Sequence, residues 1–485
     1  MKLPLTVSVL TLFSPSVLGH AFSQPYVLPM PYWLYIYGAL AALLLSFIIV
    51  GFFVSAPAAG QQARHYDFSE AVWLRRLRQL RLKTCLQTFS LLLLFLCIAT
   101  GLLGSKDPSR NFNMTFFWLV FGLGMSYASA VLGDFYAALN PWRVLSQACN
   151  KLCPGFAAGR ISYPQRLAYW PAMLLYLAFI WIELFAVVRP YFLAQALIVY
   201  TGINLLGVWL IGQRDWFRYG EFFSVFLRLI SLLAPIQYSP ELSGKNRWRL
   251  NWPGSALLQQ QPAPFSLVVF IMFMLSSTAF DGLRETELWF SLFWKDPSGI
   301  VQAIIGEYPI KAYVWLRPWF IGYETLWLII SPLLYLAVFI GFVSLGKLLS
   351  RSRQSLTLLC QQYVYSIVPI AVVYHVTHYY TLLLSEGVKI RALISDPFGF
   401  GWDLFGTAYT MRITVLLDMG SVWYTQIGLI LLGHVAAVWL AHRVALEQHR
   451  NRLCAVVSQI PMLVLMVFFT SAGLWILAQP LQGIR

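Results

Sequence analysis

Apolar residues run along this chain in blocks rather than alternating with polar ones. Ten blocks of about 20 residues, at 32–54, 84–104, 112–132, 168–188, 191–212, 265–283, 323–345, 357–385, 420–442 and 454–478, have the length a helix needs to cross a bilayer's hydrocarbon core. A weaker block at 222–237 carries Arg228 near its middle and basic residues on both flanks, Arg214 and Arg218 before it and Lys245, Arg247 and Arg249 after it. It is too short to span, and a crossing would place basic flanks on opposite faces, so it predicts an interfacial or half-buried helix. The pattern predicts an all-α, polytopic transmembrane helical bundle with about ten spanning helices and one extra interfacial helix.

Composition supports the bilayer: 59% of residues are hydrophobic, 16% aromatic and 11% charged, where soluble domains carry about a quarter charged residues. The opening MKLPLTVSVLTLFSPSVLG has one cation, a short apolar core and small residues near Gly19, which predicts a signal peptide over 1–19 and one membrane domain over 20–485. With that signal removed, the mature N-terminus lies outside, and the even number of spans returns the C-terminus to the same side. The loops this places inside hold 22 of the 34 Lys and Arg. The +15 formal charge is therefore a positive-inside bias, as in a bacterial inner membrane with both termini periplasmic, and nucleic acid is not expected as a partner.

Asp107, Glu285, Glu287, Asp296, Glu307, Glu324, Glu386, Asp396, Asp403 and Asp418 fall on the outer side. Two outer segments there, 284–322 and 386–419, are long for a compact membrane protein, and loops of that length are usually functional. Cys149 and Cys153 lack a second pair to complete a metal site, and no structural disulfide is expected.

The candidate chemistry gathers at the same level. In VVYHVTHYYTLLLSEG, His375 and His378 are one turn apart on one helix face, the spacing by which a metal recruits two imidazoles. Ionisable groups at that depth are expensive and mark function. Tyr374 and Tyr379 share the face and are expected to orient the imidazoles. Asp281, closing the block MLSSTAFDG, reaches the same level and completes a three-ligand set with an open position. His20, if it becomes the mature N-terminus, offers an α-amine and an imidazole together. Glu183 joins this cavity or pairs with Arg189, and His434 lies too deep for it. The loop SDPFGFGWDLFGT, 395–407, reads as an aromatic lid, with Asp396 and Asp403 either catalytic proton acceptors or turn formers.

The stretches HAF at 20–22, LPMPYWLYIYGA, TAFDG at 278–282, HVTHYY at 375–380, SDPFGFGWDLFG at 395–406 and QIPMLVLMVFFTSAGLWIL resemble a bacterial family of polytopic membrane proteins labelled fenitrothion hydrolase-like. The resemblance covers most of the chain and implies a hydrolase, without implying catalytic residues. The expectation is a periplasm-facing, intramembrane His/Asp metal site holding copper or zinc, with iron third, that activates water for hydrolysis or, with copper, oxygen. Two alternatives use the same residues: a metal or proton transporter, and a membrane subunit that delivers metal to a periplasmic or membrane partner. Transport ranks lower because few ionisable groups continue inward, chiefly His434, and no discontinuous helices or repeats are apparent.

Overall fold

The computed structural model describes residues 31–54, 66–72, 81–240, 246–410, 418–449 and 451–479. His20 and the 1–19 segment lie outside these residues.

Thirteen helices carry the architecture. They are α1 (Tyr32–Phe53), α2 (Leu82–Leu103), α3 (Phe112–Leu132), α4 (Pro141–Leu152), α5 (Trp170–Phe185), α6 (Pro190–Ile211), α7 (Phe222–Ser231), α8 (Phe265–Arg284), α9 (Tyr313–Leu349), α10 (Leu356–Tyr363), α11 (Val368–Glu386), α12 (Met419–Gln448) and α13 (Arg452–Ala478). Among the described residues, nine helical stretches are long and apolar enough to cross a membrane, α10 and α11 forming one of them through a 3₁₀ turn. The chain is a polytopic α-helical membrane protein. The only sheet among these residues is small: β1 (Tyr66–Asp67) and β2 (Ile236–Pro240) both pair antiparallel with β3 (Asn246–Leu250).

The tenth expected span, 168–188, forms α5, which has only 16 residues. Pro171 fixes its first turn and the Arg189-Pro190 step starts the next helix, so α5 rises about 24 Å, short of a full hydrocarbon core. α9 departs the other way. It begins at Tyr313, ten residues before the expected start, and runs 37 residues through Pro318 and Pro332, taking up part of the expected 284–322 loop.

Hydrophobic burial organises the bundle around α8, 89% buried, which packs against α9 and α11. α13 and α12 pack against each other and against α1, closing the first helix onto the last two. Alternation of direction gives the bundle two loop ends. One carries the segments after α2, α5, α8 and α11, with Asp107, Glu285, Glu287, Asp296, Glu307, Asp396 and Asp403 among them, pinned together by Ser105 N–H donating to Phe398 O (2.7 Å), Phe112 N–H to Pro397 O (3.1 Å) and Arg284 Nη1 to Leu184 O (3.0 Å). The other carries the basic segments and the sheet, where the Tyr238 hydroxyl donates to Leu132 O.

The 222–237 block departs from expectation. α7 is as short as the block predicted, but nine of its ten residues are buried, so it is an interior element rather than an interfacial or half-buried one. It packs against α3, α5 and α11.

Candidate functional site

Asp281 sits one turn from the end of α8, and His378 faces it from α11. The His378 Nε2 to Asp281 Oδ2 distance is 2.8 Å, and Tyr379 Oη donates to the same oxygen at 3.0 Å. The Asp281 side chain is 4% exposed and that of His378 14%. Gly282 permits this approach: a Cβ there would meet Ile476 Cγ2 at 2.6 Å, so any larger residue would require the Ile476 side chain of α13 to shift.

Charge around the pair is balanced from three helices. Arg284 Nη1 is 3.9 Å from Asp281 Oδ1, its Nε is 3.5 Å from Glu324 Oε1 on α9, and its guanidinium lies over the Phe185 ring, 5.1 Å from the centroid. Glu324 also accepts from Trp289 Nε1 at 3.2 Å. Glu183 of α5 lies beside Tyr379 and within electrostatic reach of Asp281, His378 and Arg284. It thus belongs to this cluster. A cavity of about 20 Å³, room for one water, is lined by His378, Thr377, Tyr374, Thr278, Gly473 and Ile476 among others.

His375 is one turn deeper on α11, and the structure does not bring it to Asp281. Its ring stands edge-on among Tyr379 (5.1 Å between centroids), Phe226 (5.8 Å) and Tyr127 (6.3 Å), and its buried Nε2 has no hydrogen-bond partner. Tyr374 also turns away. Its hydroxyl donates to Phe469 O on α13 at 2.6 Å, with Gly473 leaving space for the ring, so it ties helices together instead of orienting the imidazoles.

Asp396 and Asp403 take the turn-forming alternative. Asp396 is 3% exposed, and its two oxygens accept from the N–H groups of Phe400 and Gly401, both at 2.9 Å. Asp403 Oδ1 accepts from Ala408 N at 2.9 Å. These bonds fold the 395–407 loop against the 104–112 connection, and Phe400, Trp402, Leu404 and Phe405 project outward.

The three-ligand set His375, His378 and Asp281 is therefore not assembled. Two donors on one tetrahedral zinc, with bonds of about 2.0–2.1 Å, stand about 3.3 Å apart, so a 2.8 Å contact is a hydrogen bond between them. Among the described residues no three His, Cys, Asp or Glu groups come together closely enough to hold a metal ion.

A second polar cluster escaped the sequence reading. Glu221, fully buried, caps α7, and Asn140, fully buried, caps α4. Glu221 accepts from Tyr200 Oη (2.5 Å), Asn140 Nδ2 (3.1 Å), Phe223 N (3.1 Å) and Ser224 N (2.7 Å). The signal available was LNPW at 139–142, an Asn cap with Pro at the first helical position, together with a lone glutamate in an aromatic run. Comparisons with protein-family models, with curated proteins and with solved structures find no match to this chain.

Proposed function

We propose that the chain is a bacterial inner-membrane hydrolase whose active centre, facing the periplasm, is built on His378 and Asp281. The carrying observation is the 2.8 Å contact between them beside a water-sized cavity. A carboxylate that fixes one imidazole nitrogen orients the ring and stabilises its protonated form, which is what a general base needs to take a proton from water. Tyr379 holds the carboxylate, and Arg284 and Glu183 set the local charge. The resemblance to fenitrothion hydrolase-like proteins points to ester-type bonds, phosphotriesters included.

A copper or zinc ion belongs to a second reading, in which His378 and Asp281 would serve as metal donors instead of as a base and its partner, with His20 as the third donor the sequence offers. The test is a screen of carboxylic and phosphoric esters with the full chain in lipid, alongside His378→Ala and Asp281→Asn. Loss of turnover by about 10²- to 10⁴-fold in both variants supports the base; turnover at the wild-type rate in either removes it. Metal analysis of the same preparations decides the cofactor. Stoichiometric metal that disappears in His378→Ala supports it, and metal unchanged in that variant places the ion elsewhere.

A further inference from the structure

The aromatic loop 395–407 takes no part in the His378–Asp281 site, since none of the residues lining the cavity beside His378 comes from it. Its backbone is fixed from within. Ser395 Oγ accepts from Phe405 N (3.1 Å) and Thr407 N (3.3 Å), and Asp396 and Asp403 hold three more N–H groups. The rings of Phe398, Phe400 and Trp402 stand between 5.4 and 5.7 Å apart. Both carboxylates of the loop are thus occupied by backbone, and what it turns outward is apolar: Phe400 (57% exposed), Trp402, Leu404 and Phe405 (68%), with Tyr409 just beyond. A loop already held in one shape loses little conformational entropy when it meets a partner.

The level of the loop follows from its bonds. α2 has 22 residues and rises about 33 Å, enough to cross the hydrocarbon core. Ser105, just past its end, donates to Phe398 O, and Phe112, the first residue of α3, donates to Pro397 O. Gly399, at φ +72°, lets the loop close on this connection, because a Cβ there would meet Arg110 O at 2.7 Å. The loop therefore sits where two spanning helices meet the edge of the core, and the last turn of α2 beside it exposes Leu102 and Leu103 to lipid. Three exposed cations stand around it: Lys106 and Arg110 on the connection, and Arg391, whose carbonyl accepts from the Thr407 hydroxyl at 2.8 Å. Asp107, 3.9 Å from Arg110, is the acid among them. Exposed aromatic rings bordered by cations at the edge of the core suit the lipid headgroup layer, where rings lie among the ester groups and Lys and Arg reach the phosphates.

We propose that the 395–407 loop is a lipid-binding surface that seats Phe400, Trp402, Leu404 and Phe405 in the headgroup layer of the leaflet at its own end of the bundle, with Lys106, Arg110 and Arg391 on lipid phosphates. Its occupant is the membrane that already holds the chain, reached by continuing the lipid-facing edge of α2 onto the loop. The surface stands independently of the hydrolase reading, because it uses none of that site's residues.

The test is fluorine magnetic resonance of the full chain in phospholipid nanodiscs, with 4-trifluoromethylphenylalanine placed at position 400 in one preparation and at position 405 in another. Both positions are exposed, so the probe replaces a phenylalanine without entering the core. A nitroxide carried on the lipid acyl chain near its ester group should broaden each signal several-fold more than a water-soluble gadolinium chelate does. Replacing the cations together, Lys106→Gln, Arg110→Gln and Arg391→Gln, should lower that ratio. Broadening mainly by the chelate shows a loop standing in water and overturns the proposal. Broadening by neither agent shows the loop covered by protein, a second copy of the chain included, and overturns it as well. A ratio unchanged in the triple variant overturns the part given to the cations.

Discussion

The clusters around Asp281 and Glu221 are both carboxylates in a helical membrane protein, yet they are held differently. Asp281 takes one hydrogen bond from an imidazole and one from a phenol, with a guanidinium at 3.9 Å, on continuous helices beside a small cavity. Glu221 takes four donors, two of them backbone N–H groups of the helix it caps, and it fastens two reversals of the chain. The first carboxylate is held mainly by side chains that can rearrange. The second is part of the backbone's own hydrogen bonding, so removing it unsettles helices.

The largest expected effect tests that difference. Glu221→Ala should cost about 3–5 kcal/mol, because four donors, two of them at the start of α7, lose their acceptor in a buried place, whereas His378→Ala should cost about 1–3 kcal/mol. Thermal unfolding of both variants in detergent measures the contrast, and equal losses would break it. Close packing gives the next effect. Gly207→Ala drives a methyl group into Trp216 at the Glu221 reversal, and Gly473→Ala drives one into Tyr374 near His378; each should cost about 1–3 kcal/mol by denaturation. A melting temperature unchanged in either would show that α6 or α13 yields more easily than its contacts imply.

Smaller still is Tyr379→Phe, which removes one donor from Asp281 and should cost about 1 kcal/mol of stability. On the hydrolase reading its effect on kcat exceeds that on unfolding, and a purely structural tyrosine would reverse the order. The smallest effect concerns Asp418, an exposed cap of α12. Hydrogen bonds from Ser421 hold its carboxyl below the ordinary aspartate range. Its stabilising contribution is therefore present above the unfolded-state pKa and lost as pH falls through the lowered folded value. Carboxyl chemical shifts of the wild type and Ser421→Ala measure it, the variant titrating nearer the ordinary value.

Block lengths made the spanning helices legible, and the depth of Asp281 and His378 followed from counting residues back from helix ends. Helical periodicity also suggested that His375 and Tyr374 share the site. It failed there because each side chain answers to what lies across its own helix face: Tyr127 and Phe226 for His375, and the Phe469 carbonyl for Tyr374. The reversal at Gly220-Glu221 was hidden because a half-helix buried on nearly every side has the composition of a weak span, and that at Gly133 because α4, with only Pro141, Trp142 and Ser146 buried, has the composition of a loop segment. Only the neighbours, Tyr200 and Phe121, reveal the depth.

The seating of α1 has a consequence for biosynthesis. Arg452 donates to Gly51 O at 2.9 Å, and α1 lies against α12 and α13, about 400 residues downstream. At about 5–20 residues per second, the first helix leaves the ribosome roughly 20–80 seconds before its permanent neighbours exist. During that interval lipid or an insertase must cover Tyr35, Ala39 and Leu43, so the order of synthesis governs when this bundle closes.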